Sequence, residues 1–267
     1  MSNRRTDGPF TVADMRLGEP YELSEGRVVA CAPTGGRGSR ANLIGGAVLG
    51  FDPAVTSAGV DTAISPNTAT LRAPDVAVGN VPNLPGVVRV APPLAVEYAD
   101  TGQDEAELRK KIAELFAAGT KYVWVVRLAA KQPRVDVYEP GLPVRAALPG
   151  SELVAPGVLK NPVKVEALYD RDAAMEATLR SLLQRRGYES LGEVREEGRE
   201  VGREEGRHST LRAAILKVAT QRGLAVSDEL RAALDGCAQT VQLDAAFEAV
   251  LAGSVDGALA AVRVPAD

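Results

Sequence analysis

The sequence predicts an α/β domain built on a mixed sheet flanked by helices, followed by an all-α extension. Three observations predict it. Apolar runs that read as strands, at residues 94–98 and 121–126, lie on either side of a helical pattern over about residues 104–118, the arrangement of an α/β core. From about Ala173 the composition turns to Glu, Arg, Gln and Ala, with few residues that favour a strand. The chain of 267 residues is 45% hydrophobic and 25% charged, which suits a globular domain with an accessory segment and argues against disorder throughout.

Residues 1–20 show no sustained periodicity and read as an N-terminal arm. Residues 21–33, YELSEGRVVACAP, have a hairpin pattern: a short strand, a turn at Ser24-Glu25-Gly26, and a second strand over 27–32 stopped by Pro33. A glycine-rich loop, 34–39, leads into a helix over 40–49. Residues 60–78 hold two strand-like pieces, and Pro74 marks the strand entry at Asp75-Val76-Ala77-Val78. Residues 94–98 form a compact apolar run with one carboxylate, Glu97, as a buried strand carrying a functional acid would. The helix 104–118 follows, with Gly119 as its C-terminal cap. Residues 121–126 read as a central strand and 134–138 as an edge strand. A loop with Pro156, Gly157 and Pro162, then a short helix, closes the domain near Asp170.

This reading gives a domain over 21–172, a charged connecting helix over 173–208 and a small helical module over 209–267. In the connecting segment Gly198, Gly202 and Gly206 recur every fourth residue, while Arg195, Arg199, Arg203 and Arg207 line one face beside Glu196, Glu200 and Glu204. It reads as an exposed, solvated helix. Each glycine costs about 1 kcal/mol against alanine, so the segment frays unless a partner chain packs on the glycine face. In the module Leu211, Ile215 and Val218 recur at helical spacing, Ser227 caps a second helix over 228–234, and a third apolar pattern runs through Leu243, Phe247, Val250 and Leu251. Three short amphipathic helices make a small bundle or docking module. A homo-oligomer assembled through these C-terminal helices is a further alternative to a solvated linker, since most soluble oligomers are homo-oligomers.

Composition excludes several chemistries. The one histidine, His208, lies in a charged stretch where a solvated side chain is expected, which disfavours Ser-His-Asp and Cys-His catalysis. Cys31 and Cys237 fall in different domains, so neither a disulfide framework nor structural zinc is expected. No G-x-x-x-x-G-K-[ST] or strand-linked G-x-G-x-x-G motif supports a nucleotide cofactor. No run of roughly 18 apolar residues and no secretory leader occur, so the expectation is a cytoplasmic protein without a membrane partner. A net charge of −4 gives no global attraction to nucleic acid, and basic residues would have to act locally. Arg37 and Arg40 read as solvated loop arginines, Tyr122 and Trp124 as core.

The chemistry-bearing residues are Asp75, Glu97 and Lys111. An ionised carboxylate inside a short apolar strand is costly unless a metal or cation compensates it. At about 100° per residue, Leu108, Ile112, Leu115 and Phe116 form the buried stripe of the helix, Lys111 flanks that stripe, and Lys110 points away. Taken singly, plainer readings suffice: Asp75 as a strand start, Glu97 in a structural ion pair, Lys111 snorkelling to solvent. Together, two acids on successive strands and a lysine at the edge of the next helix's buried face are the parts of metal-assisted phosphodiester hydrolysis, which needs oxygen ligands on a hard cation and a positive group at the phosphate.

The stretches Arg72-Ala73-Pro74-Asp75-Val76-Ala77-Val78 and Pro93-Leu94-Ala95-Val96-Glu97, with Lys111 before Leu115-Phe116-Ala117-Ala118-Gly119 and the strand at 122–126, resemble the Uma-two family of restriction endonucleases, within the PD-(D/E)XK nuclease superfamily. The resemblance extends over roughly residues 20–170. It implies a restriction-endonuclease-like fold and a Mg²⁺-dependent endonuclease acting on DNA, with Mn²⁺ as a substitute ion. It further implies that Asp75, Glu97 and the backbone carbonyl of Tyr98 bind the metal. Lys111, at the position of a lysine moved from strand to helix, positions the nucleophilic water or stabilises the transition state, and Glu22 or Glu25 adds an auxiliary carboxylate. The residue two after Glu97 is Ala99, and the loop Tyr98-Ala99-Asp100-Thr101-Gly102-Gln103 departs from the family's Val-Leu-Ser-Pro-Ser type. That departure motivates the rival: a catalytically degenerate nuclease fold serving as a nucleic-acid-binding or assembly module.

Overall fold

The computed structural model describes residues 8–16 and 18–263, so residues 1–7 and 17 of the expected arm lie outside the described residues. The chain forms two compact units, residues 1–189 and 190–267.

In the first unit, β1 (Tyr21–Ser24) and β2 (Arg27–Ala30) make the expected hairpin. Its two-residue turn works because Glu25 and Gly26 both take positive φ, 47° and 77°, the twist that matches paired strands. The described part of the arm is tied to it: Phe10 N donates to Gly26 O at 2.8 Å, and Val12 N to Thr68 O at 2.8 Å. Helix α1 (Gly36–Gly50) starts at Gly36 rather than residue 40. Burial of Gly38, Ala41, Asn42 and Gly45 overrides the low helix propensity of glycine there.

Residues 58–78 hold four strands, where the sequence suggests two strand-like pieces over 60–78: β3 (Ala58–Val60), β4 (Ile64–Asn67), β5 (Thr70–Arg72) and β6 (Val76–Val78). Pieces of three or four residues are too short to show periodicity. Next come β7 (Leu94–Ala99), α2 (Glu105–Ala117), β8 (Tyr122–Arg127), β9 (Arg134–Tyr138) and β10 (Arg145–Ala147). Asp104 caps α2 by accepting from Ala106 N and Glu107 N, and Gly119 follows at φ 105°.

The larger sheet has the order β10-β9-β8-β7-β6-β3, and the smaller β2-β1-β5-β4. Among the described strands β7 and β8 form the one parallel pair, because α2 is the crossover between them. The edge-strand expectation for 134–138 is corrected: β10 pairs along β9 and buries Val135, Asp136 and Val137. Helix α1 covers one face of the sheet, packing Val48 and Leu49 with Val76, Val96, Tyr98 and Trp124. Helix α2 covers the other, packing Leu108, Ile112 and Leu115 with Ala95, Ala99, Val123 and Val125.

A short ladder, β11 (Glu152–Leu153) with β12 (Val163–Lys164), precedes α3 (Arg171–Arg185). The boundary expected after residue 172 is corrected to 189, since α3 belongs to the first unit. Arg185 donates to the carbonyls of Phe51, Asp52 and Val55 at 2.9, 2.8 and 2.5 Å. A guanidinium at the C-terminal end of α1 satisfies groups that the helix leaves open. Composition changes at Ala173 because α3 is half exposed, and the domain continues through it.

The second unit contains α4 (Leu191–Gln221), α5 (Asp228–Gly236), α6 (Thr240–Leu251) and α7 (Val255–Arg263). The connecting helix and the first module helix are one element, α4, and α7 is a helix the sequence reading lacks. Ser227 caps α5, accepting from Leu230 N at 3.1 Å. Ile215, Ala219, Leu230, Leu234, Leu243 and Val250 make the core of this unit. His208 is buried rather than solvated, with Nε2 2.7 Å from Thr240 Oγ1, because the start of α6 covers it. No described helix is long and apolar enough to cross a membrane.

Candidate active site

Strand alternation decides which side chains reach the site. Leu94, Val96 and Tyr98 face α1, so Ala95, Glu97 and Ala99 face α2. The β6–β7 register pairs Val76 with Val96. Continued by one residue, it sets Asp75 opposite Glu97 on the α2 side. Like charges facing each other across strands repel, and a cation answers them: Lys111 Nζ lies 2.9 and 3.0 Å from the two Glu97 oxygens. The same ammonium lies 3.0 Å from Glu22 Oε1 and donates to Ala73 O at 2.8 Å. Asp75 Oδ2 accepts the Tyr98 amide proton at 2.6 Å, which fixes the carboxylate at the point where β6 and β7 part.

The structure thus brings Asp75, Glu97, Lys111 and Glu22 together. Glu25 stays outside: it sits on the exposed hairpin turn and pairs with Lys110 at 2.9 Å, so of the two candidate auxiliary acids only Glu22 reaches Lys111. Arg72, in β5, is the residue that sequence reasoning left without a role. It is 1% exposed, its NH1 lies 2.8 Å from Glu22 and 2.7 Å from Glu107, and its Nε pairs with Glu114. The available signal was charge spacing on α2, where Glu107, Lys111 and Glu114 share one face at i, i+4 and i+7. Trp124 is fully buried, as expected of core. Arg37 pairs with Asp100, in the loop after β7, while Arg40 is exposed.

An open cleft of about 430 Å³ leads to this cluster, bordered by Asp75, Lys111, Glu22, Cys31 and Asp61, with Arg16 of the arm at its rim. A wider groove of about 1180 Å³ beside α1 and α3 has no acidic residue in its lining, so the chemistry belongs to the smaller cleft.

Burial first, then Asp75 and Glu22, push the Glu97 carboxyl up to about 8 against the pull of Lys111. Burial also raises Asp75, against Lys111 and the Tyr98 amide. Glu22 is held below the usual carboxylate range because Lys111 and Arg72 together outweigh its burial. For Lys111, burial works against the charge, yet Glu97, Glu22 and Asp75 raise its pKa above the ordinary lysine value. The ammonium therefore stays protonated and acts as a fixed positive charge, with no proton to accept.

Whether a divalent cation suits these residues can be judged from their charge and their open acceptors. Two cations, Arg72 and Lys111, stand among five carboxylates, Glu22, Asp75, Glu97, Glu107 and Glu114, so the cluster is short of positive charge. Glu97 Oε1 is buried and lies at ion-pair distance from Lys111 without an aligned hydrogen bond. No group of three His, Cys, Asp or Glu side chains is gathered as a metal cage among the described residues. A site of two carboxylates and a backbone carbonyl needs no such group, and Mg²⁺ commonly uses one or two carboxylates and keeps several waters. In a strand the N–H and C=O of one residue face the same side. The Tyr98 carbonyl therefore lies along the edge where its amide meets Asp75, and the donor set fits a hard cation.

No curated protein matches the chain. A crystal structure of "a putative nuclease belonging to DUF820 from Anabaena variabilis ATCC 29413" is similar in fold, with TM-score 0.52 and 17% sequence identity over 62% of this chain and 99% of that one. Residues 12–162 match the Uma2 family, described as "Putative restriction endonuclease". They include the hairpin, β6, β7 and α2, and so every residue of the cluster around Lys111. Since that match spans more than half of the 267 residues, the chain belongs to the Uma2 family.

Proposed function

We propose that the chain is a Mg²⁺-dependent endonuclease that hydrolyses DNA phosphodiester bonds, with Mn²⁺ as a substitute ion. The observation that carries this reading is the meeting of Asp75, Glu97 and Lys111, from three elements, with Asp75 and Lys111 lining one cleft. Membership of a family described as restriction endonucleases supports both the nuclease activity and the DNA substrate. Asp75, Glu97 and the Tyr98 carbonyl would hold the cation. Bound there, it supplies Lewis acidity toward water and the phosphate. Lys111 holds a permanent positive charge beside the reacting phosphate, where it stabilises charge that develops in the transition state. Tyr98 N–H keeps Asp75 in place, and Glu22 holds Lys111 from the side away from Glu97.

Purified protein incubated with plasmid and linear DNA in Mg²⁺ or Mn²⁺ tests the reading. Asp75→Ala is expected to lower the cleavage rate by roughly 10²-fold or more, the scale of losing one electrostatic partner of a transition state. Cleavage that survives unchanged in that variant would remove Asp75 from the site.

A second reading rests on the position of Lys111, whose ammonium already lies between Glu97 and Glu22. If it serves as the resident cation, the domain is a binding or assembly module that cuts nothing. Calorimetry separates the two: metal binding that vanishes in Glu97→Ala supports the nuclease, and no heat with either ion supports the module.

A further inference from the structure

We propose that Arg72 is a positioning residue for Lys111, acting through Glu22. The inference builds on the nuclease reading, since it concerns the ammonium group placed there beside the phosphate.

The two oxygens of Glu22 divide the work. Oε2 meets Arg72 NH1 at 2.8 Å, while Oε1 accepts from Ala73 N at 3.0 Å and lies 3.0 Å from Lys111 Nζ. A buried carboxylate with one cation on each oxygen has little freedom to turn, so the place of Lys111 depends on the guanidinium behind Glu22. Arg72 reaches α2 directly as well, through Glu107 and Glu114, which lie four residues before and three after Lys111 on the same helical face. Ser24 steadies Glu114 by donating to Oε1 at 2.7 Å.

Arginine suits this post and lysine would not, because a planar fork can address several carboxylates from fixed directions. Arg72 also stands directly before Ala73, whose carbonyl accepts a hydrogen bond from Lys111, and three residues before Asp75. One side chain thereby couples the strand that delivers Asp75 to the helix that delivers Lys111. Arg72 NH2 is buried without a hydrogen-bond partner. The orientation is what satisfying Glu22, Glu107 and Glu114 together requires.

The test reads Lys111 itself, so it does not depend on catalysis. The full chain is labelled with an amine-reactive reagent and the rate at each lysine is followed by mass spectrometry, with Lys110 as internal reference. In the wild type Lys111 labels slowly. Arg72→Gln and, separately, Glu22→Gln are expected to raise Lys111 labelling relative to Lys110 roughly tenfold, the loss of about one charge-assisted hydrogen bond. Glu22→Gln keeps the shape of the side chain and leaves Arg72 with Glu107 and Glu114, so it serves if Arg72→Gln fails to fold. Lys111 labelling unchanged in a folded Arg72→Gln or in Glu22→Gln overturns the proposal. If labelling rises while the wild type cleaves no DNA, the positioning role stands and the nuclease reading falls. Where cleavage is measured, kcat of Arg72→Gln should fall while KM for DNA stays within about threefold, the mark of an interaction made in the transition state.

Discussion

Glu97 shows how one side chain can report on the state of the whole cluster. Its carboxyl stands at about 8 in the folded chain, against 4.5 for an ordinary glutamate. A raised folded pKa means that its contribution to stability is whole below the unfolded value and is lost as the pH rises through the folded one. Metal-free wild type should therefore lose more melting temperature between about pH 5 and about pH 8 than Glu97→Gln does, since the amide has no proton to lose. Scanning fluorimetry at both pH values checks this, and parallel curves would show that Glu97 is not the acid strained by burial. Lys111 gives the complementary result. Above about pH 8, where Glu97 is ionised in the wild type, Lys111→Met leaves Glu97 and Glu22 without their shared cation, and denaturant unfolding of the metal-free protein should show a loss of roughly 3 kcal/mol, the low end for a broken buried pair because Glu97 can then take up a proton. Asp75, Glu97 and Lys111 were legible in the sequence because each interrupts an apolar pattern whose period fixes its direction. The choice between Glu22 and Glu25 was not, since it depends on where the two-residue turn falls. Arg72 was hidden for a different reason: the charge spacing on α2 shows only the helix side of the network, and its partners Glu22 and Glu114 are 50 and 42 residues away.

At the scale of elements, one substitution carries opposite signs in two helices. In α1, a Cβ on Gly45 would stand 1.8 Å from the Tyr98 hydroxyl. That hydroxyl is buried and donates to Leu168 O at 3.0 Å, so the ring cannot withdraw. Gly45→Ala should cost roughly 1–3 kcal/mol, as overpacking does, and it should disturb β7 next to Glu97. In α4, nothing lies within 4 Å of a Cβ at Gly202, and Gly202→Ala should stabilise that helix by about 1 kcal/mol. Denaturant midpoints of the two variants check both signs, and equal shifts would defeat the packing argument. The long periodic elements, β7, α2 and β8, were readable because burial on a definite face imprints a pattern. The short β3 to β6 were not, and neither was the start of α1, where burial of Gly38, Ala41 and Asn42 outweighs the poor propensity of Gly36 and Gly38. The interior place of β9 was hidden because β10, three residues long, leaves almost no trace of its own.

At the scale of the molecule, the open question is what the first half of α4 is for. Leu191 to Arg207 are exposed throughout, and a glycine-bearing helix without a packed face is marginal by itself. Its charges are sorted around the axis. At about 100° per residue, the row Val194, Gly198, Gly202 and Gly206 is flanked on one side by Arg195, Arg199 and Arg203, and on the other by Glu193, Glu197 and Glu205 with Val201. When two copies meet about a two-fold axis parallel to the helices, the arginine flank of each faces the glutamate flank of the other. An antiparallel pair would set arginine against arginine. A second copy of this chain in parallel alignment would match arginine flank to glutamate flank, and self-association of this kind is the outcome to test. Sedimentation of the full chain should show a dimer at micromolar concentration that weakens as salt rises from about 0.1 to about 1 M, because the Debye length shrinks from about 10 to about 3 Å. Reversing Arg195, Arg199 and Arg203 to Glu should give a monomer. Mixing that variant with one in which Glu193, Glu197 and Glu205 are changed to Arg should restore pairing. A wild type that sediments as a monomer at every concentration and salt would show that α4 is an exposed connector, leaving each chain to bring a single site to its substrate.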